Sequence, residues 1–270
     1  ADRAVSAAGV LRREISAAGV GCPGTVESSS GTVVYNNNLG WRNFPLGKLL
    51  SETWGLPVRV ENDANAAALG EVCAGSARGA SSAMILTLGT GVGSGFVVEG
   101  RIWTGWNASA CEFGHMVIVK GGRPCTCGRR GCLEAYASAT GLIAMTREAM
   151  AAHPESLMNA LAEGEGRVGG HTAFAAAERG DATALRVVDE YLDCLACGVT
   201  NIVNGLQPEV VGIGGGVGRQ GDRLLAPLRQ KVYAEVYGGR GERFTRLTQC
   251  TLGYRAGLVG AAMAAMQSTV

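Results

Sequence analysis

The first part of the chain alternates between segments with helical apolar spacing and short extended apolar runs. Residues 1–16 carry apolar side chains at helical spacing, which predicts an amphipathic helix. Further along, the pattern predicts strands within 17–26, 31–38 and 56–63 and helices over 43–54 and 64–75. Strands and helices that alternate in this way are typical of an α/β fold.

The remaining chain continues the alternation. Two apolar runs joined by a glycine turn within 82–103 predict a β-hairpin. An apolar strand within 208–218 runs into glycines, and helices are predicted over 139–153, 173–205 (one or two helices), 221–236 and the alanine-rich stretch after Tyr254. Since 270 residues exceed the usual size of one domain, we expect two lobes.

Composition narrows the class of protein. Hydrophobic residues make up 47% of the chain and charged residues 17%, and the net charge is +1, so we expect no nucleic-acid partner. The sequence contains neither an apolar run of membrane-spanning length nor a recognisable signal peptide. Its nine cysteines therefore favour reduced thiols and metal binding over disulfides, and we expect a cytoplasmic protein.

The segment CEFGHMVIVKGGRPCTCGRRGCLE, residues 111–134, gathers four cysteines and a histidine. Structural zinc sites use four sulfur or nitrogen ligands, which His115, Cys125, Cys127 and Cys132 supply. Free thiols in a glycine-rich loop and a redox CxC are the alternatives, and Cys111 is a competing ligand. We expect a closed zinc site whose role is to fix the loop.

The segment VENDANAAALGE places Asn62 and Asp63 where a predicted strand meets a predicted helix. Ligands of α/β folds bind at such strand ends, but Asn and Asp are also common helix caps. These residues alone leave a catalytic role and a capping role about equally supported.

Two glycine-rich loops are candidates for phosphate binding. LGTGVGSG, residues 88–95, offers the Thr90 hydroxyl and free backbone N–H groups, although this loop taken alone is better explained as a glycine-rich hairpin turn. GIGGGVG, residues 212–218, lies between a predicted strand and a predicted helix, which suits an anion better. Each signal is weak when taken alone.

Taken in order, PG…NNL…VENDANAA…LGTGVGSG…EFGH…CTCGRRGCLE…GIGGG resembles the ROK family of repressors, open reading frames and kinases. The resemblance runs from Gly19 onward, and its nearest match is to the family's bacterial kinases that act on glucose. It implies an actin-like, hexokinase-like (ribonuclease H-like) pair of α/β lobes with a cleft between them. The implied small lobe is 1–63 with about 252–270, and the implied large lobe is 64–251, with the zinc loop at 111–134.

The resemblance implies ATP-dependent phosphorylation of a hexose, with glucose the first choice. Asp63 would be the catalytic base. Mg²⁺ is expected with ATP, zinc as a structural ion, and a homodimer or homotetramer as the assembly. By position, the sugar would be bound by Asn38, Asn62, Asp63, Glu112, His115 and Glu134, and the nucleotide by Thr90, Gly91, Gly214 and Gly215.

The sequence departs from the family pattern at two places. Cys111 stands where the family usually has glycine, and its larger side chain is expected to shift Glu112 or to narrow the choice of sugar. The family's first strands and their DxGGT-type phosphate loop have no counterpart in the sequence. We therefore expect an incomplete small-lobe sheet, which puts ATP binding by this stretch alone in doubt.

Three alternatives to a kinase for glucose stay open. N-acetylmannosamine kinases and fructokinases share the motifs. Sugar-responsive regulators of the family keep the sugar site and the zinc loop, but they carry an N-terminal helix-turn-helix that this sequence lacks. A non-catalytic sugar-binding protein is the third. The intact Asp63 and LGTGVGSG favour an enzyme.

Overall fold

The structure is a computed structural model that describes residues 2–36, 39–238 and 244–267. The strands are β1 (Ala18–Cys22), β2 (Thr25–Glu27), β3 (Thr32–Asn36), β4 (Trp41–Phe44), β5 (Val58–Asn62), β6 (Ser82–Leu88), β7 (Val92–Val98), β8 (Arg101–Ile102), β9 (Val210–Gly214) and β10 (Arg246–Gln249).

The helices are α1 (Asp2–Ala8), α2 (Leu46–Trp54), α3 (Asp63–Ala74), α4 (Glu134–Ala137), α5 (Ala139–Ala152), α6 (Leu157–Gly164), α7 (Thr172–Glu178), α8 (Ala182–Leu206), α9 (Gly215–Gly218), α10 (Asp222–Glu235) and α11 (Arg255–Gln267). Short 3₁₀ turns cover Arg12–Glu14 and Phe113–His115. Within the described ranges, no helix is both long and apolar enough to span a lipid bilayer.

The strands form three sheets. β1 pairs in parallel with β5, and β2, β3 and β4 form an antiparallel sheet. The largest sheet has the order β10-β9-β6-β7-β8, in which β9 is parallel to both of its neighbours and β7 is antiparallel to β6. The mixed α/β architecture agrees with the expected actin-like, hexokinase-like fold.

The register of the parallel strands decides where the loops lie. Cys22 is level with Asn62 at the ends of β1 and β5, and Thr87 is level with Gly214 near the ends of β6 and β9. The carboxyl ends of parallel strands lie at one edge of a sheet, which is where α/β folds bind ligands. Both glycine-rich loops therefore leave the large sheet at the same edge.

Helix α3 connects the sheets. It packs on β6 and β7 of the large sheet and, on another side, against α11, which in turn packs on β1 and β5. The helices α3 and α11 approach so closely that a Cβ at Gly260 would lie 1.6 Å from the Ala66 carbonyl oxygen, so only glycine fits there. The helix that begins at Asp63 is thus held on two sides.

The main apolar core lies between the large sheet and the helices α5, α7, α8 and α10. Tyr191 is fully buried in it and donates a hydrogen bond to the Ala137 carbonyl at 2.8 Å. This bond satisfies the one polar atom of the Tyr191 side chain, as a buried hydroxyl requires.

Several predicted boundaries need correction. The helix predicted over 1–16 ends at Ala8, because Gly9 adopts a left-handed φ of 66° and most of the following residues are exposed, without a packed face to continue the helix. The strand predicted within 208–218 ends at Gly214. The strands β2, β4 and β10 and the helices α4, α6 and α9 were not predicted, since segments of three to eight residues carry little periodic signal.

Candidate active site and metal centre

Asn62 and Asp63 form the junction between β5 and α3. The Asn62 Oδ1 accepts hydrogen bonds from the backbone N–H groups of Ala64 and Asn65 at 2.9 and 3.0 Å, and its Nδ2 donates to the Gly24 carbonyl at 2.9 Å. Asn62 is therefore the helix cap, which leaves the neighbouring Asp63 exposed at the first turn of the helix.

Of the two roles that the sequence left open, the structure assigns the capping role to Asn62. Both polar atoms of the Asn62 amide are used within the protein, so its predicted contact with a sugar would have to be shared with the cap. The Asp63 Oδ1 accepts the adjacent Ala64 N–H at 2.9 Å. Asp63 is the group of this pair that is presented to solvent.

A buried carboxylate supports this junction from behind. Glu61 is 2% exposed; its Oε2 accepts from the Ser28 hydroxyl at 2.7 Å and its Oε1 from the Asn62 N–H at 3.0 Å and the Asn65 side-chain amide at 3.3 Å. These bonds fix the end of β5 to the β2 region and to α3. Sequence reasoning missed Glu61, because its partner Ser28 lies 33 residues away.

Ser94 on β7 positions Glu112. Its hydroxyl donates a hydrogen bond to the Cys111 carbonyl and accepts the Phe113 N–H at 3.1 Å, so it is bonded to the residues on both sides of Glu112. Cys111 has a φ of 65°. Glycine adopts this left-handed conformation more readily than other residues, which is consistent with the glycine expected here from the resemblance.

The charged side chains predicted to bind the sugar influence one another. Burial raises the pKa of Glu112, the nearby His115 lowers it, and the charges of Asp63 and Glu134 raise it again. Contacts around the start of β7 bring these residues together. A Cβ at Gly93 would lie 3.1 Å from the Cβ of Ala64, next to Asp63, while Ser94 bonds to the residues on both sides of Glu112 and Val92 bonds to Glu134. Cys125 lies beside both Glu134 and His115. Asp63, Glu112, His115 and Glu134 therefore lie around one space, although they come from α3 and from both ends of the 111–134 loop.

The four predicted zinc ligands converge. His115 Nδ1 and the sulfur atoms of Cys125, Cys127 and Cys132 all lie within 4.8 Å of one another. The Cys125 sulfur lies 3.6 Å from His115 Nδ1, and the Cys127 and Cys132 sulfurs lie 3.7 Å apart.

These distances suit zinc. A tetrahedral ion with bonds of about 2.3 Å to sulfur and about 2.0–2.1 Å to nitrogen sets two sulfurs about 3.8 Å apart and a sulfur about 3.6 Å from a nitrogen. The donor set of three thiols and an imidazole fits zinc as well. Cys111 is not part of the cluster; its sulfur lies near the Trp103 carbonyl, at 3.9 Å.

The protein chain itself holds this loop together. The Arg129 guanidinium donates to the His115 carbonyl at 3.1 Å, and the Tyr136 hydroxyl accepts the Arg123 N–H at 2.8 Å.

Burial, with help from the adjacent thiols, raises the pKa of Cys132 to about 12. Zinc requires the thiolate, so binding of the ion would release this proton.

Glu134 joins the loop to the β6–β7 hairpin. Its Oε2 accepts the Val92 N–H at 3.0 Å, and its Oε1 accepts from the Thr126 hydroxyl at 3.2 Å and the Cys125 thiol at 3.7 Å. One carboxylate therefore contacts both the cysteine loop and the residue that follows Gly91.

The two glycine-rich loops meet at the edge of the large sheet. Gly215 has a φ of 78°, and a Cβ there would lie 2.5 Å from the Leu88 carbonyl, so the backbones touch where only glycine fits. Thr90 has an exposed side chain, and its carbonyl accepts from the Thr140 hydroxyl at 2.8 Å.

A cavity of about 190 Å³ opens beside Gly214 and Gly215. Its other walls include parts of α3 and the segment that leads from β10 into α11. Sequence reasoning missed most of these residues, because they come from separate parts of the chain: Glu71, Thr87, Arg219, Gln249, Cys250 and Tyr254.

The sequence-predicted site residues thus fall into two groups. Around one space lie Asp63, Glu112, His115 and Glu134, with Asn62 as the cap beside them. At the strand ends of the large sheet lie Thr90, Gly91, Gly214 and Gly215. Asn38 lies outside the described residues.

Comparisons with known proteins agree with this arrangement. A family model described as "ROK family" matches residues 3–268. A glucokinase of Halalkalibacterium halodurans is 41% identical over 262 residues, which cover 96% of this chain and 78% of that protein. A glucokinase of Streptomyces coelicolor is 36% identical over 92% of this chain and 80% of that protein.

Solved structures show the same likeness. A ROK family glucokinase from Streptomyces griseus, in complex with glucose and AMPPNP, superposes with a TM-score of 0.83 at 34% identity, over 98% of this chain and 87% of that one. A ROK hexokinase from Thermus thermophilus gives 0.82 at 34% identity, over 100% and 84%. The chain belongs to the ROK family.

Proposed function

We propose that the protein transfers the γ-phosphoryl group of ATP to a hydroxyl of glucose, which gives glucose 6-phosphate and ADP. The observation that carries the proposal is the exposed Asp63 carboxylate at the start of α3, because the adjacent Ala64 packs on β7 where that strand contacts Glu134 and the residues on both sides of Glu112. The glucokinases among the relatives and the S. griseus complex with glucose and AMPPNP support the choice of both substrates.

In the proposed reaction Asp63 is the general base. Its carboxylate accepts the proton of the sugar hydroxyl while that oxygen forms a bond to the γ-phosphorus. The bond from the γ-phosphorus to its bridging oxygen breaks, and ADP leaves with that electron pair. Phosphoryl transfer depends mainly on positioning and on neutralised charge, so the base needs to be accurately aimed more than strongly basic.

Glu112, His115 and Glu134 are proposed to hold the sugar. Carboxylates accept hydrogen bonds from sugar hydroxyls, and an imidazole that uses Nδ1 for a metal keeps Nε2 for a hydroxyl. A zinc ion would be held by His115, Cys125, Cys127 and Cys132. These four ligands would complete its coordination and leave no open position for a substrate. The loop would then keep both of its ends, at Glu112 and Glu134, beside Asp63.

The nucleotide is proposed to lie at the ends of β6 and β9, with its phosphates near Thr90 and Gly91 and the remainder near Gly214 and Gly215. ATP would bind as its Mg²⁺ complex. The division into a small lobe, 1–63 with about 252–270, and a large lobe, 64–251, remains a proposal. It is supported by the separation of the strands β1 to β5 from the five-stranded sheet of β6 to β10. A homodimer or homotetramer, a cytoplasmic location and the absence of a nucleic-acid partner remain predictions from the sequence.

The test is an ADP-release assay on the native protein with glucose, mannose, fructose and N-acetylmannosamine. Glucose is expected to give the highest kcat/KM. Release of ADP with another hexose but not with glucose would show that this other hexose, and not glucose, is the substrate. No ADP release with any hexose, together with sugar binding, would favour the sugar-sensing alternative.

A further inference from the structure

Glu71 is a buried carboxylate that the proposed reaction does not use. It lies on α3, eight residues after Asp63, and its relative exposure is 0%. Among the residues that the structure describes, no lysine or arginine forms an ion pair with it. A charge without a cationic partner can stay buried only if hydrogen-bond donors surround it.

Four donors surround Glu71. Its Oε2 accepts the backbone N–H and the hydroxyl of Ser76 at 2.8 and 2.9 Å, and the Thr251 N–H at 3.2 Å. Its Oε1 accepts the Leu252 N–H at 2.8 Å. Since Thr251 and Leu252 lie about 180 residues along the chain, the carboxylate ties α3 to the segment between β10 and α11.

That segment is a wall of the cavity beside the second glycine-rich loop. Cys250, Gly253 and Tyr254 line the cavity on one side and Gly214–Gly216 line it on another, and Glu71 itself reaches the lining. At the same cavity the Arg219 guanidinium lies 4.4 Å above the Tyr254 ring, and this ring is 84% exposed. A flat aromatic surface and a guanidinium plane are groups on which a nucleobase stacks.

We propose that Glu71 is a positioning residue for the nucleotide: its four hydrogen bonds set the 250–254 segment, and with it Tyr254, at the distance from Gly214–Gly216 that a nucleotide needs. The inference rests on the proposed function in that the cavity takes the nucleotide. Glu71 acts through this segment, which its hydrogen bonds hold in place. Helix α3 carries Asp63 at its start and Glu71 in its third turn. It therefore also fixes the cavity wall formed by the 250–254 segment relative to Asp63, the proposed catalytic base.

The chain offers a matched control. Asp181, at the start of α8, accepts two backbone N–H groups, from Leu157 and Ala184, and the hydroxyl of Ser156. This donor set is of the same kind as that of Glu71, but Asp181 does not line the cavity. Asp181→Asn therefore reports the general effect of weakening such a network.

The experiment uses the native protein and the variants Glu71→Gln, Ser76→Ala and Asp181→Asn. Calorimetric titration with MgADP gives the nucleotide Kd without any need for catalysis, and steady-state assays give KM for ATP and for glucose. We expect Glu71→Gln to raise the MgADP Kd and the KM for ATP about tenfold, equivalent to about 1.4 kcal/mol. Ser76→Ala is expected to raise the MgADP Kd and the KM for ATP by a smaller factor. In Asp181→Asn these two constants should stay within about twofold of their native values, since the site is distant. The KM for glucose should stay within about twofold of its native value in all three variants.

The outcomes separate this inference from the proposed function. A MgADP Kd that rises in Glu71→Gln and not in Asp181→Asn supports the inference, even if the native protein phosphorylates no glucose. An unchanged MgADP Kd in a folded Glu71→Gln protein overturns it while glucose phosphorylation by the native protein stands. If Glu71→Gln does not fold, Ser76→Ala decides, and an unchanged nucleotide Kd there overturns the inference.

Discussion

The carboxylate of Glu134 accepts the backbone N–H of Val92 at 3.0 Å. This bond spans 42 residues and connects the end of the cysteine loop to the start of β7, directly after the LGTG turn. The other oxygen of Glu134 contacts Thr126 and Cys125 inside the loop. The Glu134 side chain therefore connects the cysteine loop, which is proposed to hold the sugar, to the loop proposed to hold the phosphates.

Loss of the proposed zinc site should loosen the sugar site. Cys132→Ser removes a ligand that is 0% exposed, so we expect the metal content to fall from about one zinc per chain towards none, in keeping with the four-ligand rule. The melting temperature should drop and the KM for glucose should rise. Metal analysis, thermal unfolding and steady-state kinetics measure these effects.

The control for this change is Cys197→Ser, a half-buried cysteine on α8 outside the loop. It should keep the native metal content. A native protein free of zinc, or a Cys132→Ser protein with unchanged metal content, would contradict the zinc assignment.

Ser94→Ala should weaken sugar binding through Glu112. The change removes the hydroxyl that contacts the Cys111 carbonyl and the Phe113 N–H. Lost buried hydrogen bonds cost about 1–3 kcal/mol, so a five- to hundredfold rise in the KM for glucose is the expected order of magnitude. The KM for ATP should change little.

Ser109→Ala is the comparison for Ser94→Ala, since the Ser109 hydroxyl donates a local hydrogen bond, to the Asn107 carbonyl two residues earlier at 3.4 Å. Equal effects of both variants on the KM for glucose would show that Ser94 does not position Glu112.

Cys111→Gly should leave the choice of sugar unchanged. The Cys111 side chain packs in the main core, and burial raises the pKa of its thiol to about 11, so it stays protonated near neutral pH. Glycine would relieve a left-handed conformation that costs a non-glycine residue about 1–3 kcal/mol, but it would lose buried apolar surface. We therefore expect the free energy of unfolding to change by no more than about 1 kcal/mol.

The measurement is the hexose panel with native protein and Cys111→Gly. The same order of kcat/KM values in both proteins is the prediction. A broader range of hexoses in the variant would instead support the expectation from the sequence that Cys111 narrows the site.

Asp181→Asn should reduce stability in a pH-dependent way. Burial raises the pKa of Asp181, but the N–H groups of Ala184 and Leu157 and the Ser156 hydroxyl outweigh it and hold this pKa below the usual 3.8. A depressed folded-state pKa stabilises the protein above pH 3.8, and this contribution is lost as the pH falls through the folded-state value.

Denaturant unfolding of native protein and Asp181→Asn at several pH values tests this sign. The native protein should be more stable by about 1 kcal/mol at neutral pH, because an Asn amide oxygen can keep the cap bond to the Ala184 N–H while its NH₂ group cannot accept from the Leu157 N–H. The difference should shrink below pH 3.8. A difference that grows as the pH falls would contradict the assignment.

The parts of the site that the sequence predicted well are those with local signals. The boundary at Asn62 and Asp63 followed from a strand pattern that gives way to an alanine-rich helix, and the structure has that boundary. The cysteine and histidine spacing predicted a cluster whose members do converge. In both cases a few neighbouring residues carry the whole signal.

The parts that were missed depend on contacts between distant segments. Glu71 and Thr251 are 180 residues apart, and Ser94 and Cys111 are 17 apart on separate elements. No periodicity connects such pairs, since their proximity arises only when the sheets and helices assemble. The prediction of a helix over 1–16 was wrong beyond Ala8 for a related reason. Helical spacing alone does not stabilise a helix that lacks a surface to pack against.

The central claim is that Asp63 is the base in glucose phosphorylation. Its most direct test measures ADP release and glucose binding for native protein and Asp63→Asn, with both proteins at the same zinc content. We predict turnover with glucose by the native protein and a loss of about 10²–10⁴-fold in kcat in the variant, the usual contribution of general base catalysis. The Kd for glucose should change much less than kcat. Unchanged turnover in Asp63→Asn would contradict the account.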